Sequence, residues 1–166
     1  ADTATRALVA DEGRRVRAAF GARQYLLQHD EIRALGWDPA CVATGLDPGR
    51  ILAANVRDCR AALAPARLLA WNDMFDPFHN AVRDYYLVNG DLSRSIEGLD
   101  SSVTIVNWNA HRARESLAFF ARRPVAEIRR VLPLLRGTNG AFAVMYTTWR
   151  DRYDDLEAFA REVRGR

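Results

Sequence analysis

The chain has 166 residues, of which 49% are hydrophobic and 27% charged, a globular composition with enough material for one packed core. No apolar run is long enough to cross a membrane, so a membrane partner is not expected. The formal net charge is +3, and every Lys-or-Arg position is Arg. Apart from Arg14-Arg15-Val16-Arg17 these residues are scattered, not strung into the continuous basic stripe that nucleic acid requires, so no nucleic-acid partner is expected either.

Ala1–Arg6 has no apolar centre of the kind an export signal carries, so no such signal is expected, and the compartment is left open. The first helix is predicted over Thr5–Phe20, with Leu8, Val9, Val16, Ala19 and Phe20 on one apolar face. A strand follows at Gln24–Gln28. Asp47 and Pro48 then supply an N-cap and a first helical position, and Ile51, Leu52, Val56, Cys59 and Leu63 form the buried stripe of a second helix that Pro65 stops. Cys41 and Cys59 lie eighteen positions apart with no metal-like spacing. Cys59 reads as a buried thiol, and a disulfide between the two is the alternative.

The second strand begins near Arg67. The segment from Phe75 to Ser102 is long and carries three turn signals, Asp76-Pro77, Asn89-Gly90 and Glu97-Gly98; a connection of that length inside an α/β unit is usually functional. Within it Tyr85-Tyr86 suits either pocket lining or loop anchoring. The third strand is predicted at Val103–Val106 and a helix at Arg112–Arg122. Pro124 breaks that helix, and another is predicted over Val125–Leu135, with no strand-like run between the two. A fourth strand is predicted at Ala141–Met145, and a last helix from near Asp154 carries Leu156, Phe159, Ala160 and Val163.

Alternating strands and helices without a linker or repeat predict an α/β fold with a parallel sheet, as one domain over 1–166. A barrel and an open doubly wound sheet both fit the alternation. The lack of a Gly-rich phosphate loop after any strand disfavours the nucleotide-binding open sheet. A complete barrel takes about 250 residues, more than this chain has.

In a parallel sheet all strand C-termini open on one face, and here each strand ends in a polar–aromatic cluster. His29-Asp30-Glu31 ends the first, Trp71-Asn72-Asp73 the second, Asn107-Trp108-Asn109 the third and Tyr146-Thr147-Thr148-Trp149 the fourth. A carboxyl pair can divide general-acid and stabilising roles when the two environments differ; the alternative for Asp30-Glu31 is a helix cap with first-turn acids. Trp71, Trp108 and Trp149, each at a separate strand end, suit stacking on pyranose rings. Asp73, Asp76 and His79 are candidates for binding sugar hydroxyls. Two alternatives are a metal site built from His29, Asp73, Asp76 and His79, and, for Asp76, a turn cap ahead of Pro77.

At these residues the chain resembles the catalytic barrel of the family 20 glycoside hydrolases, the β-N-acetylhexosaminidases and their relatives. His29-Asp30-Glu31 is similar to that family's Asp-Glu motif at the end of its fourth barrel strand. Trp71–Asp76 is similar to a Trp-polar-acid-x-Phe-Asp stretch on a later strand, and Val106-Asn107-Trp108 and Tyr146–Trp149 to later strand-end aromatics. The two glycines that usually precede the Asp-Glu pair are absent; Leu27-Gln28 stands in their place. The resemblance implies a parallel (β/α) barrel of TIM type, here its C-terminal part, and substrate-assisted retaining hydrolysis without a cofactor or metal. Asp30 and Glu31 would be catalytic, and His29, Trp71, Asp73, Asp76, His79, Trp108, Tyr146 and Trp149 would bind a carbohydrate substrate. A non-hydrolytic carbohydrate-binding relative is the alternative, and a metal-dependent hydrolase a further one. An incomplete barrel would expose a sheet edge and invite self-association.

Overall fold

The computed structural model describes residues 2–109, 111–121, 126–129 and 157. It begins with α1 (Thr3–Phe20), where Asp2 caps the Ala4 and Thr5 N–H groups and Gly21 closes the helix in the left-handed conformation. Strand β1 is Gln24–Leu27, and the short β2 is Ala34–Leu35. After α2 (Pro39–Ala43) comes α3 (Pro48–Leu63), started by Asp47, whose carboxylate accepts the Arg50 N–H, with Pro48 at the first helical position. Next are β3 (Arg67–Trp71), β4 (Leu87–Val88), β5 (Val103–Asn107), α4 (Ala113–Ala121) and β6 (Ala126–Arg129).

The principal sheet has the order β1-β3-β5-β6, and every neighbouring pair is parallel. Leu27 pairs with Ala70, Trp71 with Val106, and Asn107 with Arg129, so the C-terminal ends of the four strands lie on one edge. A second, two-stranded parallel sheet joins β2 to β4. The protein is thus an α/β fold with small, open parallel sheets among the described residues.

The core forms where α3 covers the principal sheet. Leu52, Val56 and Leu63 of the helix cluster with Leu68 and Ala70 of β3 and Val103 and Ile105 of β5. Burying each large aliphatic side chain contributes about 1.5–3 kcal/mol. Met74, Phe75, Leu92 and Phe120 extend the cluster. The long segment after β3 is built into this core. Its two 3-10 turns, Asp73–Phe75 and Ser93–Gly98, are tied together by the Ser95 hydroxyl, which donates to the Met74 carbonyl at 2.6 Å.

Two glycines let the second turn sit directly on α3. A Cβ on Gly49 would lie 2.9 Å from the Leu92 carbonyl oxygen, and one on Gly98 would lie 2.7 Å from the Ala53 Cα. Cys41 and Cys59 are both free thiols, and Cys59 packs half-buried against the core.

Two features depart from the expectations. The predicted apolar face of α1 is not a core face: no residue of α1 is buried, Leu8 is 67% exposed and Phe20 84%. Of the five residues assigned to it, Val9 packs against the core. The helix meets α3 along Val9 and Gly13 instead, where a missing Cβ leaves room for Leu63 and the Gly13 carbonyl accepts the Tyr25 hydroxyl at 2.7 Å.

The second correction concerns the helix predicted over Val125–Leu135. Residues Ala126–Arg129 form β6, so a strand does lie after α4. Four residues are too few for the period to distinguish strand from helix, and the free edge of β5 offers a ladder from Thr104 to Asn107 that satisfies their backbone groups. The predicted fourth strand at Ala141–Met145, the last helix near Asp154, and residues Tyr146 and Trp149 lie outside the described residues.

Candidate active site

The parallel register brings the ends of β1, β3 and β5 side by side, and hydrogen bonds from β3 pin the other two. Asn72, fully buried, donates its N–H to the Val106 carbonyl (3.1 Å) and accepts the Trp108 N–H on Oδ1 (3.0 Å). Asp73, also fully buried, accepts the Glu31 N–H (2.8 Å) and the Asn80 side-chain amide (2.9 Å) on Oδ2. Its Oδ1 receives the Trp108 indole N–H at 3.4 Å, a long bond. One carboxylate, just past the end of β3, thus gathers groups from the ends of β1 and β5. Burial pushes its pKa above the ordinary carboxylate value, against the pull of the Glu31 N–H, the Asn80 amide, His79 and Trp108.

Asp30, Glu31, Trp71 and Trp108 line one cleft of about 280 Å³. Neighbouring residues on a strand point to opposite faces. Here β1 has already ended at Leu27, and Glu31 takes a left-handed backbone with φ 45°, so both carboxylates reach the same space. Asp30 is half-buried and has no hydrogen-bond or ion-pair partner among the described residues. Glu31 is exposed, and its Oε2 accepts Arg33 Nη2 at 2.8 Å. Trp71 and Trp108 are each half-buried, with surface left to meet a ligand.

Of the remaining sequence-predicted residues, His29, Asp73, Asp76 and His79 are described and none of them lines this cleft, while Tyr146 and Trp149 lie outside the described residues. His29 shares a 2.7 Å hydrogen bond with Asn55 Oδ1 through Nε2 and sets its ring edge-on to Phe75. His79 packs edge-on to Trp108, with ring centroids 4.5 Å apart. In both rings Nδ1 is buried without a partner among the described residues. Asp76 is fully buried; Oδ2 accepts the Asn72 amide (2.8 Å) and Oδ1 the Phe78 N–H (2.9 Å), which is turn-capping geometry ahead of the long segment. Among the described residues no three His, Cys, Asp or Glu side chains are gathered as metal ligands, and His29, Asp73 and Asp76 each hold protein partners.

Two further residues belong near the cleft. Tyr85 packs partly buried against the core. Burial, and then the carboxylates of Glu31 and Asp73, raise its pKa above the ordinary phenol value, so it stays a neutral donor beside them. Arg33 lies between Glu31 and the ring of Tyr86, 5.5 Å from the ring centroid. The Tyr85-Tyr86 pair carried a sequence signal only as an aromatic doublet in a long connection. Arg33 carried none, because its role depends on the fold of β2 against β4.

Chemically the cleft offers one carboxylate without a partner among the described residues, one carboxylate held by a guanidinium, two indoles and a nearby phenol. Compared with models of known protein families the chain matches none, and it matches none of the curated proteins either.

Proposed function

We propose that the chain is a carbohydrate-active α/β protein, a β-N-acetylhexosaminidase-like glycoside hydrolase whose sheet is the C-terminal arc of a (β/α) barrel. The observation that carries the reading is the cleft in which Asp30 and Glu31 face Trp71 and Trp108 at the C-terminal ends of parallel strands. Indoles beside carboxylates suit a pyranose: the rings cover its apolar face while the acids reach its polar edge. The unidirectional order β1-β3-β5-β6 supports the barrel part, since a doubly wound sheet reverses direction at a switch point. In such an arc β1 forms one edge of the described sheet, and if the barrel is incomplete that edge invites self-association.

The resemblance to family 20 supplies the mechanism. The substrate's acetamido oxygen attacks its own anomeric carbon while Glu31 gives a proton to the leaving oxygen. Asp30 holds and polarises the acetamido group. Glu31 then takes a proton from the water that opens the cyclic intermediate, which returns both groups to their starting states. Substrate-assisted enzymes of this kind are an exception to the usual two-carboxylate spacing, and no cofactor takes part.

The Glu31–Arg33 ion pair favours a second reading, in which the cleft binds a sugar without cleaving it: a carboxylate held by a guanidinium must leave it before it can carry a proton to a substrate. Incubation with an aryl N-acetyl-β-hexosaminide, alongside calorimetric titration with the free sugar, separates the two. Release of the aryl alcohol supports the hydrolase. Binding without release supports the second reading, and neither binding nor release overturns both.

A further inference from the structure

At about 280 Å³ the cleft lies just below the ~300 Å³ where small-ligand pockets usually begin, which gives room for one sugar ring. Its rim continues outward through a connected series of residues. Glu31 holds Arg33 by a 2.8 Å ion pair, and the Arg33 guanidinium lies over the ring of Tyr86. The next residue, Leu87, donates its N–H to the Arg33 carbonyl at 2.9 Å, and its own carbonyl accepts the Trp37 indole N–H. Tyr86, Leu87 and Trp37 are 67%, 60% and 63% exposed. Single exposed apolar residues are ordinary, but three large ones gathered on and beside one small sheet at the mouth of a cleft mark a binding surface.

The backbone points the same way. Tyr86 has φ 49°, a left-handed conformation that a bulky side chain seldom adopts and that Gly or Asn would hold without strain. An aromatic ring there is presented to solvent at a cost in stability, with the guanidinium fixed against it. An exposed ring flanked by hydrogen-bond donors meets the needs of a pyranose, whose apolar face stacks while its hydroxyls bond at the edge.

We infer that Tyr86, backed by Arg33 over one face of its ring and with Trp37 just past β2, forms a stacking platform for the second ring of a glycan whose first ring occupies the cleft. The ligand is therefore a chain of at least two sugars. This inference rests on the carbohydrate reading of the cleft.

Calorimetric titration tests it, using N-acetylglucosamine and its thio-linked dimer, which cannot be hydrolysed. The unmodified chain is expected to bind the dimer about five- to tenfold more tightly than the monomer, the gain from stacking one ring. In Tyr86→Ala the dimer-to-monomer affinity ratio falls to near one, while Tyr86→Phe keeps it. Tyr86→Asn, which relaxes the backbone, loses the ratio as well, so a fall there cannot come from strain or unfolding. Monomer binding with a ratio near one in the unmodified chain, or a ratio unchanged in Tyr86→Ala and Tyr86→Asn, overturns the platform and leaves the sugar cleft standing. Binding of neither sugar overturns both.

Discussion

The Glu31 N–H donates to Asp73 Oδ2 at 2.8 Å, joining the loop that leaves β1 to the turn that follows β3. Glu31 holds a left-handed backbone, φ 45°, which for a residue with a Cβ costs on the order of 1 kcal/mol or more. A buried carboxylate as acceptor offsets that cost. The same carboxylate receives the Asn80 amide and the Trp108 indole, so it sets the position of a cleft acid relative to a cleft aromatic. Both of its oxygens are already engaged, which makes it a strut between strand ends.

Asp73→Asn is therefore expected to lower folding stability by about 1–3 kcal/mol, because the new amide N–H groups meet the donors that the carboxylate accepted. The pH dependence has a definite sign. Burial raises the Asp73 pKa in the folded state above the ordinary carboxylate value. Its contribution to stability is then fully present below the unfolded-state pKa and is lost as pH rises through the folded-state value. Urea denaturation across the mildly acidic range should show the advantage of the unmodified chain over Asp73→Asn shrinking as pH rises. An advantage that grows with pH would contradict the burial argument.

The backbone of Glu31 gives a way to separate fold from chemistry. Glu31→Gly removes the carboxylate and the exposed ion pair with Arg33, which contributes about 0–1 kcal/mol, but it also relieves the left-handed strain. Stability should stay within about 1 kcal/mol of the parent. Glu31→Val, a β-branched residue forced to positive φ, should lose more than that. Thermal melts check both, and turnover should vanish in both variants if the carboxylate acts on substrate.

Gly98→Ala should cost about 1–3 kcal/mol, the usual range for overpacking. The added methyl would meet the backbone of Ala53 at 2.7 Å, and α3 cannot move away without disturbing Val56 and Leu52 in the core. A denaturation midpoint equal to that of the parent would show that the turn at Ser93–Gly98 shifts freely.

The three strands that the sequence showed clearly, β1, β3 and β5, are short apolar runs between helices with recognisable stops, and Asp47-Pro48 marks the start of α3 by its capping chemistry alone. The clustering of Asp30, Glu31, Trp71 and Trp108 was legible for a topological reason: parallel strands put their C-termini on one edge, so residues far apart in sequence share a place. β6 was not legible, because its four residues are too few to show a period and only the edge of β5 makes them a strand. The two-residue strands β2 and β4 are too short for any period, so the rim that holds Arg33 against Tyr86 appears only in three dimensions. Burial was the other missing quantity. Asp73 and Asp76 read as polar groups facing a ligand, yet both are fully buried and bonded inward: Asp76 accepts the Phe78 N–H of its own turn, and Asp73 accepts the Glu31 N–H of the loop that leaves β1.

The two cleft carboxylates should respond differently to neutralisation. Glu31→Gln keeps the shape of the side chain but can neither give nor take the proton, so turnover of an aryl N-acetyl-β-hexosaminide should fall about 10²–10⁴-fold, the range for loss of general acid–base catalysis. Sugar affinity should survive, since Trp71 and Trp108 remain in place. Asp30 lines the cleft and holds no partner among the described residues, so in this reading its carboxylate acts on what enters the cleft. In a substrate-assisted reaction that carboxylate orients and polarises the acetamido group. Asp30→Asn should then slow substrates that carry the acetamido group more severely than those that lack it, whereas a carboxylate that merely shaped the cleft would slow both alike. The comparison therefore needs two aryl glycosides differing only at the sugar's C2, with kcat and KM measured for each. Rates unchanged from the parent in both Asp30→Asn and Glu31→Gln would remove the pair from the mechanism and leave sugar binding without cleavage as the function of the cleft.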